Sequence, residues 1–193
     1  MATEIDIINN ALTKIGAATI ATLSDSSREG RLANRTYNDL RDDVLRDYQW
    51  NFATKRFSIA ANATAPLWEY DNAYTLPSDF LRLTGLNNPS NYDYRIEMDD
   101  SGNRIVVTDI SSPLQGVYIA RVSNAEQMDP KFREALSARL AMEWAEPLTA
   151  SGTLLTKMTQ LYQQKMADAR TVDGAEDSFN RQPDSGAWID ARY

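Results

Sequence analysis

Ile5, Ile8, Leu12 and Ile15 recur at steps of three and four near the start of the chain, the spacing of one helical face. Thr3, with Asp6 three residues on, supplies an N-cap, and Gly16 a C-terminal stop. A loop over residues 17–27 is pinned by Ile20 and Leu23. A longer stripe then follows at Ala33, Tyr37, Leu40, Val44 and Tyr48, widened by Leu45 and Trp50. It predicts a long amphipathic helix entered through a capping box at Ser26 and Glu29, with Gly30 a weak point near its start. The outer faces of that helix carry Arg31, Arg35, Arg41 and Arg46 among Asp39, Asp42, Asp43 and Asp47. Arg35 with Asp39, Asp42 with Arg46 and Asp43 with Arg46 have the spacing of side-by-side neighbours on a helix.

From Trp50 to about Val122 the period changes to two. Residues 52–60, 67–76, 80–86, 95–98, 104–108 and 117–122 read as strands, with 99–103 a hairpin loop. Pro66, Pro77, Pro89 and Pro113 fall between them, where a missing amide donor costs nothing. Helical spacing returns after Asp129-Pro130, an N-cap acid followed by proline at the first helical position. Phe132, Leu136, Leu140, Trp144 and Leu148 recur every fourth residue, and Pro147 is expected to kink or end that helix. A last helix shows Leu154, Met158, Leu161, Tyr162, Lys165, Met166 and Ala169.

These elements predict an α+β protein: an antiparallel helical bundle with a β-strand region inserted between the second and third helices, and an extended C-terminal tail. Residues 1–50 and 126–170 form the bundle, 51–125 the inserted region and 171–193 the tail. The expected bundle core is Ile8, Leu12, Tyr37, Leu40, Val44, Leu136, Leu140, Leu154, Met158 and Leu161. Trp50, Phe52, Phe57, Trp68, Tyr70 and Tyr74 are expected at the seam between bundle and strands.

Composition narrows the chemistry. Cysteine and histidine are both absent, which removes disulfides, thiolate and histidine metal sites, and Ser-His-Asp or Cys-His catalysis. Hydrophobic residues make up 42%, as in soluble globular proteins, and no apolar run approaches the ~20 residues that span a bilayer. The first residues also lack the basic segment of a signal peptide. The net charge of −7 is spread along the chain with no basic segment, so no tight grip on nucleic acid is expected.

Acidic pairs at Asp42 with Asp43, Asp99 with Asp100, and Glu143 with Glu146 invite comparison with the two carboxylates of a glycosidase. The simpler reading is solvated ion pairs for the first, turn residues for the second, and one helix face for the third. The loop at 99–103 lacks the distal glutamate of a calcium loop. No catalytic, cofactor or metal residue is assigned.

The segment Leu40-Arg41-Asp42-Asp43-Val44-Leu45-Arg46-Asp47-Tyr48-Gln49-Trp50-Asn51-Phe52-Ala53 resembles a stretch of the tail tubular protein A family, the head-to-tail adaptors of short-tailed, podovirus-type bacteriophages. Later pieces resemble it in order and spacing: Tyr74 to Arg82, Phe132 to Leu148, and Leu161-Tyr162 leading to Ala169-Arg170. The resemblance implies a non-enzymatic virion protein without cofactors, located at the head-tail interface and made in the host cytoplasm. It implies a ring, commonly of twelve copies, under the portal protein; the ring extends the DNA channel and gives the tail nozzle and fibres a platform. Genomic DNA passes through such a ring without being tightly bound. The competing readings are a peptidoglycan-degrading virion protein working through paired carboxylates, and a non-viral helical scaffold. Within 171–193 a polar, Gly/Pro-containing stretch ends in a compact apolar cluster. Phe179, Trp188, Ile189, Arg192 and Tyr193 are therefore expected to anchor the chain to the portal.

Overall fold

The computed structural model describes residues 2–87 and 93–176. Its helices are α1 (Glu4–Lys14), α2 (Arg28–Asp47), α3 (Pro130–Thr149) and α4 (Gly152–Glu176). Its strands are β1 (Thr54–Ile59), β2 (Asn72–Thr75), β3 (Phe80–Leu86), β4 (Tyr94–Met98), β5 (Arg104–Thr108) and β6 (Leu114–Ala120).

The strands form two separate antiparallel sheets of three, in the orders β1-β6-β3 and β2-β5-β4. This corrects the expected bundle with one inserted strand region. The physical reason lies in the alternation of side chains along the first sheet. Leu81 and Ile119 turn one way, into the same core as Ile8, Trp50, Phe132 and Leu136 of the helices. Phe80, Tyr118 and Ala120 turn the other way and, with Phe57 and Leu114, meet Tyr74 and Val106 of the second sheet. The first sheet is thus a middle layer between helices and second sheet. A period of two announces strands without saying how they divide into sheets or what each face covers.

The helix hub is α3. Phe132, Ala135, Leu136, Ser137, Ala138, Leu140, Ala141, Trp144 and Ala145 are all buried, so it is covered on nearly every side, and α1, α2 and α4 pack around it. Its alanines let those neighbours approach closely. Asp129 accepts from the Lys131 and Phe132 amides (2.7 and 3.2 Å), with Pro130 in the first turn as expected. Pro147 neither ends the helix early nor stops it: α3 runs two residues further, and Ala150 closes it in the left-handed region.

Of the expected core, Ile8, Leu12, Tyr37, Val44, Leu136, Leu140 and Met158 are buried, while Leu40, Leu154 and Leu161 are half-buried against it. The expected cap of α1 forms, with Asp6 amide to Thr3 Oγ1 at 3.2 Å and Thr3 amide to Asp6 Oδ2 at 2.8 Å. The cap of α2 is Ser27, not Ser26, and accepts from the Gly30 amide at 3.0 Å. Gly30 is there for space: a Cβ would lie 2.4 Å from the Asp25 carbonyl oxygen.

Other boundaries shift. Residues 51–53 form a single 3-10 turn, β2 occupies only 72–75 of the expected 67–76, and β6 begins three residues early. The expected tail start at 171 is also corrected: α4 continues to Glu176 because Asp173 is buried against Asn51.

Candidate functional site

The expected anchor residues Phe179, Trp188, Ile189, Arg192 and Tyr193 lie outside the described residues. What the structure describes is where the chain leads into them. Asp173, near the end of α4, accepts the Asn51 amide at 2.9 Å through Oδ1, and its carbonyl accepts from Asn51 Nδ2 at 2.7 Å. One turn earlier the Arg170 guanidinium stands 5.4 Å from the Tyr48 ring centroid, and about three turns before Asp173 the Tyr162 hydroxyl donates to Asp47 at 3.4 Å. The end of α4 is therefore clamped to the junction where α2 passes into β1. Asn51 supplies both a backbone and a side-chain donor because the 3-10 turn leaves its amide without a helical partner.

The acidic pairs are not brought together. Asp42 bridges two guanidiniums, Arg41 at 2.8 Å and Arg121 at 2.6 Å. Arg41, expected on an outer face, is buried over the Tyr37 ring and also donates to Asn38. Asp43 and Glu143 both face Arg139, at 3.5 and 2.8 Å. None of the three expected pairs within α2 forms; Arg46 instead donates to the Leu81 carbonyl. Asp42, Asp43 and Arg46 each reach a partner on another element, because helix neighbours in water gain only about 0.2–0.5 kcal/mol.

Asp99 is a turn acceptor for the Ser101 and Asn103 amides and the Asn103 side chain, and those bonds hold its carboxyl below the usual range. Among the described residues no three carboxylates gather as a metal group would need.

Two of the surface hollows lie on the sheets. A hollow of about 600 Å³ lies along Arg56, Phe57, Gly85, Asn87, Gln115 and Gly116. A second, of about 500 Å³, lies between β3 and β4, the edge strands of the two sheets. Its walls are Phe80, Leu81 and Leu83 on one side and Tyr94, Ile96 and Met98 on the other, with Arg46, Arg82, Arg104 and Glu97 also lining it. None of the six paired acids lines either hollow.

Every residue of β4 is exposed. Tyr94, Ile96 and Met98 share one face of it, and Leu67 and Trp68 project from the loop before β2. That loop is tied to β4 by Glu69, which accepts from Arg95 at 3.0 Å. Trp68, expected at the seam, is 74% exposed; Trp50 and Phe52 do sit there, their rings 5.0 and 4.9 Å from Phe132. Phe57 and Tyr74 lie between the sheets instead.

No protein family and no curated protein matches this chain. No helix among the described residues is long and apolar enough to cross a membrane.

Proposed function

We propose that the chain is a structural head-to-tail adaptor of a short-tailed bacteriophage: a virion protein that assembles as a ring, commonly of twelve copies, under the portal. There it extends the DNA channel and gives the tail nozzle and fibres a platform. One observation supports this most: the four stretches that resemble the tail tubular protein A family converge in space. Residues 40–53 and 132–148 meet through Trp50, Phe52 and Phe132 and through Asp43 and Arg139. Residues 74–82 join them where Arg46 donates to the Leu81 carbonyl, and 161–170 through Tyr162 and Arg170. Separate chance likenesses have no reason to pack on one another; a shared core does.

In this reading the clamp of Asp173 on Asn51 gives residues 177–193 a fixed point of departure, and Phe179, Trp188, Ile189, Arg192 and Tyr193 hold the portal. Many weak anchors in one ring act together, because each later attachment is effectively intramolecular. The chain does no chemistry, and its net charge of −7 keeps passing DNA unbound.

Native mass spectrometry of the full chain with and without purified portal tests this: rings should appear with portal present. A chain ending at Glu176 keeps the Asp173 clamp and should retain its helical circular dichroism, yet fail to assemble. A full chain that ignores portal, or a shortened one that still forms complete rings on it, overturns the reading.

A further inference from the structure

Leu67, Trp68, Tyr94, Ile96 and Met98 are the large apolar side chains left exposed among the described residues, and all five stand on β4 or on the loop that Glu69 ties to it. Tyr94, Ile96 and Met98 share one face of β4, and the loop with Leu67 and Trp68 is tied to the other face through Arg95, so exposed apolar side chains flank this strand on both sides, as at interaction sites. Beside them is the hollow of about 500 Å³ walled by β3 and β4. Among the described residues β4 pairs with β5 alone and β3 with β6 alone, so each presents a strand edge. The carbonyl of Leu81 on β3 is already taken by Arg46; among the described residues no strand lies against the outer edge of β4.

The lining is cationic in an acidic chain. Neither Arg82 nor Arg104 has a carboxylate partner among the described residues, and Glu97 is the one acid in the lining. Aromatic, methionine and arginine side chains together are the composition of interface cores.

We propose that this hollow binds an extended segment of a partner protein, with acidic and apolar residues alternating, by strand addition to β4. A strand turns its side chains alternately to the two faces of its sheet, so one set on the added strand shares the face of Tyr94, Ile96 and Met98, and the other turns to the opposite face, where Arg95 holds Glu69 of the loop that carries Leu67 and Trp68. Arg104, directly opposite Met98 on β5, lies on the first of these faces, so the acidic set turns there, towards Arg82 and Arg104, and the apolar set turns to the side of Leu67 and Trp68. A second copy of this chain fits less well. The edge strand β1 carries Arg56, which has no carboxylate partner among the described residues and repels the arginines, and β2 is already met by Asn62, whose amide donates to the Ala73 carbonyl at 2.8 Å.

The proposal rests on strand edges and charge, not on the adaptor reading, and its failure leaves that reading standing. The test is fluorescence anisotropy of the full chain with a labelled short peptide alternating aspartate and valine. Two counterparts are run beside it, one with lysine for aspartate and one N-methylated at alternate amides. The aspartate peptide should bind saturably and both counterparts at least about tenfold more weakly. Arg82→Glu with Arg104→Glu should reverse the preference towards lysine; if that variant does not fold, the three peptides on the unaltered chain decide alone. No saturable binding, or equal binding of all three peptides, overturns the assignment. So does self-association of the chain that Ile96→Asp abolishes while the peptides are ignored, because the hollow then takes a second copy.

Discussion

Ile119→Ala tests the layered architecture directly. Ile119 is fully buried in the helical core, while its neighbours Tyr118 and Ala120 on β6 face the second sheet. The substitution removes about three methylene equivalents at ~0.8 kcal/mol each, or ~2.4 kcal/mol of transfer free energy. The cavity left among Trp50, Leu81 and the α3 side chains adds to this, because a close-packed core relaxes only partly; the sum falls within the ~2–5 kcal/mol of large-to-small core changes. For a chain of this length each kcal/mol lowers Tm by about 2–4 °C, so a fall of about 4–20 °C is expected. Thermal unfolding followed by far-UV circular dichroism and by tryptophan fluorescence measures it. Val106→Ala, which loosens the contact between the sheets, should lower the same single transition by a smaller amount. If Ile119→Ala leaves Tm unchanged, the first sheet does not share the helical core. If the two probes separate and only one moves, the sheets are an independent unit and the middle-layer argument fails.

Gly116→Ala should cost ~1–3 kcal/mol in urea denaturation, since a Cβ there would lie 2.7 Å from Phe57 Cζ and 2.8 Å from the Gly85 carbonyl oxygen, and a neighbouring strand's backbone cannot step aside. A neutral effect would mean that β1 and β3 do not close on β6 as described. Tyr37→Phe should stabilise the protein by ~1 kcal/mol at neutral pH, because the Tyr37 hydroxyl is buried without a hydrogen-bond partner among the described residues. Burial pushes that hydroxyl up to about 12, so the protein's stability is level with pH below the unfolded value near ~10 and falls as pH rises from there through ~12. The variant should flatten this alkaline loss in urea titrations, and an unchanged slope refutes it. Asp79 runs the other way: burial pushes its carboxyl up, but the bonds from Lys55 (2.7 Å) and Tyr118 (2.9 Å) outweigh that and leave it lowered. Its contribution is present above the unfolded carboxylate value near ~3.9 and lost as pH falls through the lower folded one. Asp79→Asn should therefore weaken the acid dependence of Tm, and an unaltered acid limb counts against it.

Element type was legible where one face of an element meets one kind of neighbour. The stripe Ala33, Tyr37, Val44 identified α2, and Asp129-Pro130 placed the start of α3 to the residue. What failed was anything decided by a second neighbour. Arg41 reads as solvent-facing by helix phase, yet Asp42 and the Tyr37 ring make burial of its guanidinium tolerable. Residues 171–176 read as tail because they lack an apolar stripe; α4 persists there on polar bonds from Asp173 to Asn51, which no periodicity reports. The all-round burial of α3 was likewise hidden, because it rests on alanines that carry little weight in a hydrophobic pattern.

The hollow between β3 and β4 shows the same limit in its sharpest form. Tyr94-Arg95-Ile96-Glu97-Met98 alternates as a half-buried strand should, and so do the strands around it. Alternation records that one face is apolar; it does not record whether the chain itself supplies the layer that covers it. Val106, directly opposite Ile96 on β5, is covered by the first sheet, while Ile96 is 44% exposed. The difference is position within the sheet: β5 is central and lies over β6, whereas β4 projects beside the edge of β3, where the first sheet ends. Sheet order is a long-range property, fixed by which strands pair across tens of residues, so the same local pattern becomes core in one strand and open surface in the next. An apolar edge left this way invites indiscriminate pairing unless something restricts it. Arg82 and Arg104 supply that restriction by charge, admitting an acidic strand and repelling the basic β1 edge of another copy.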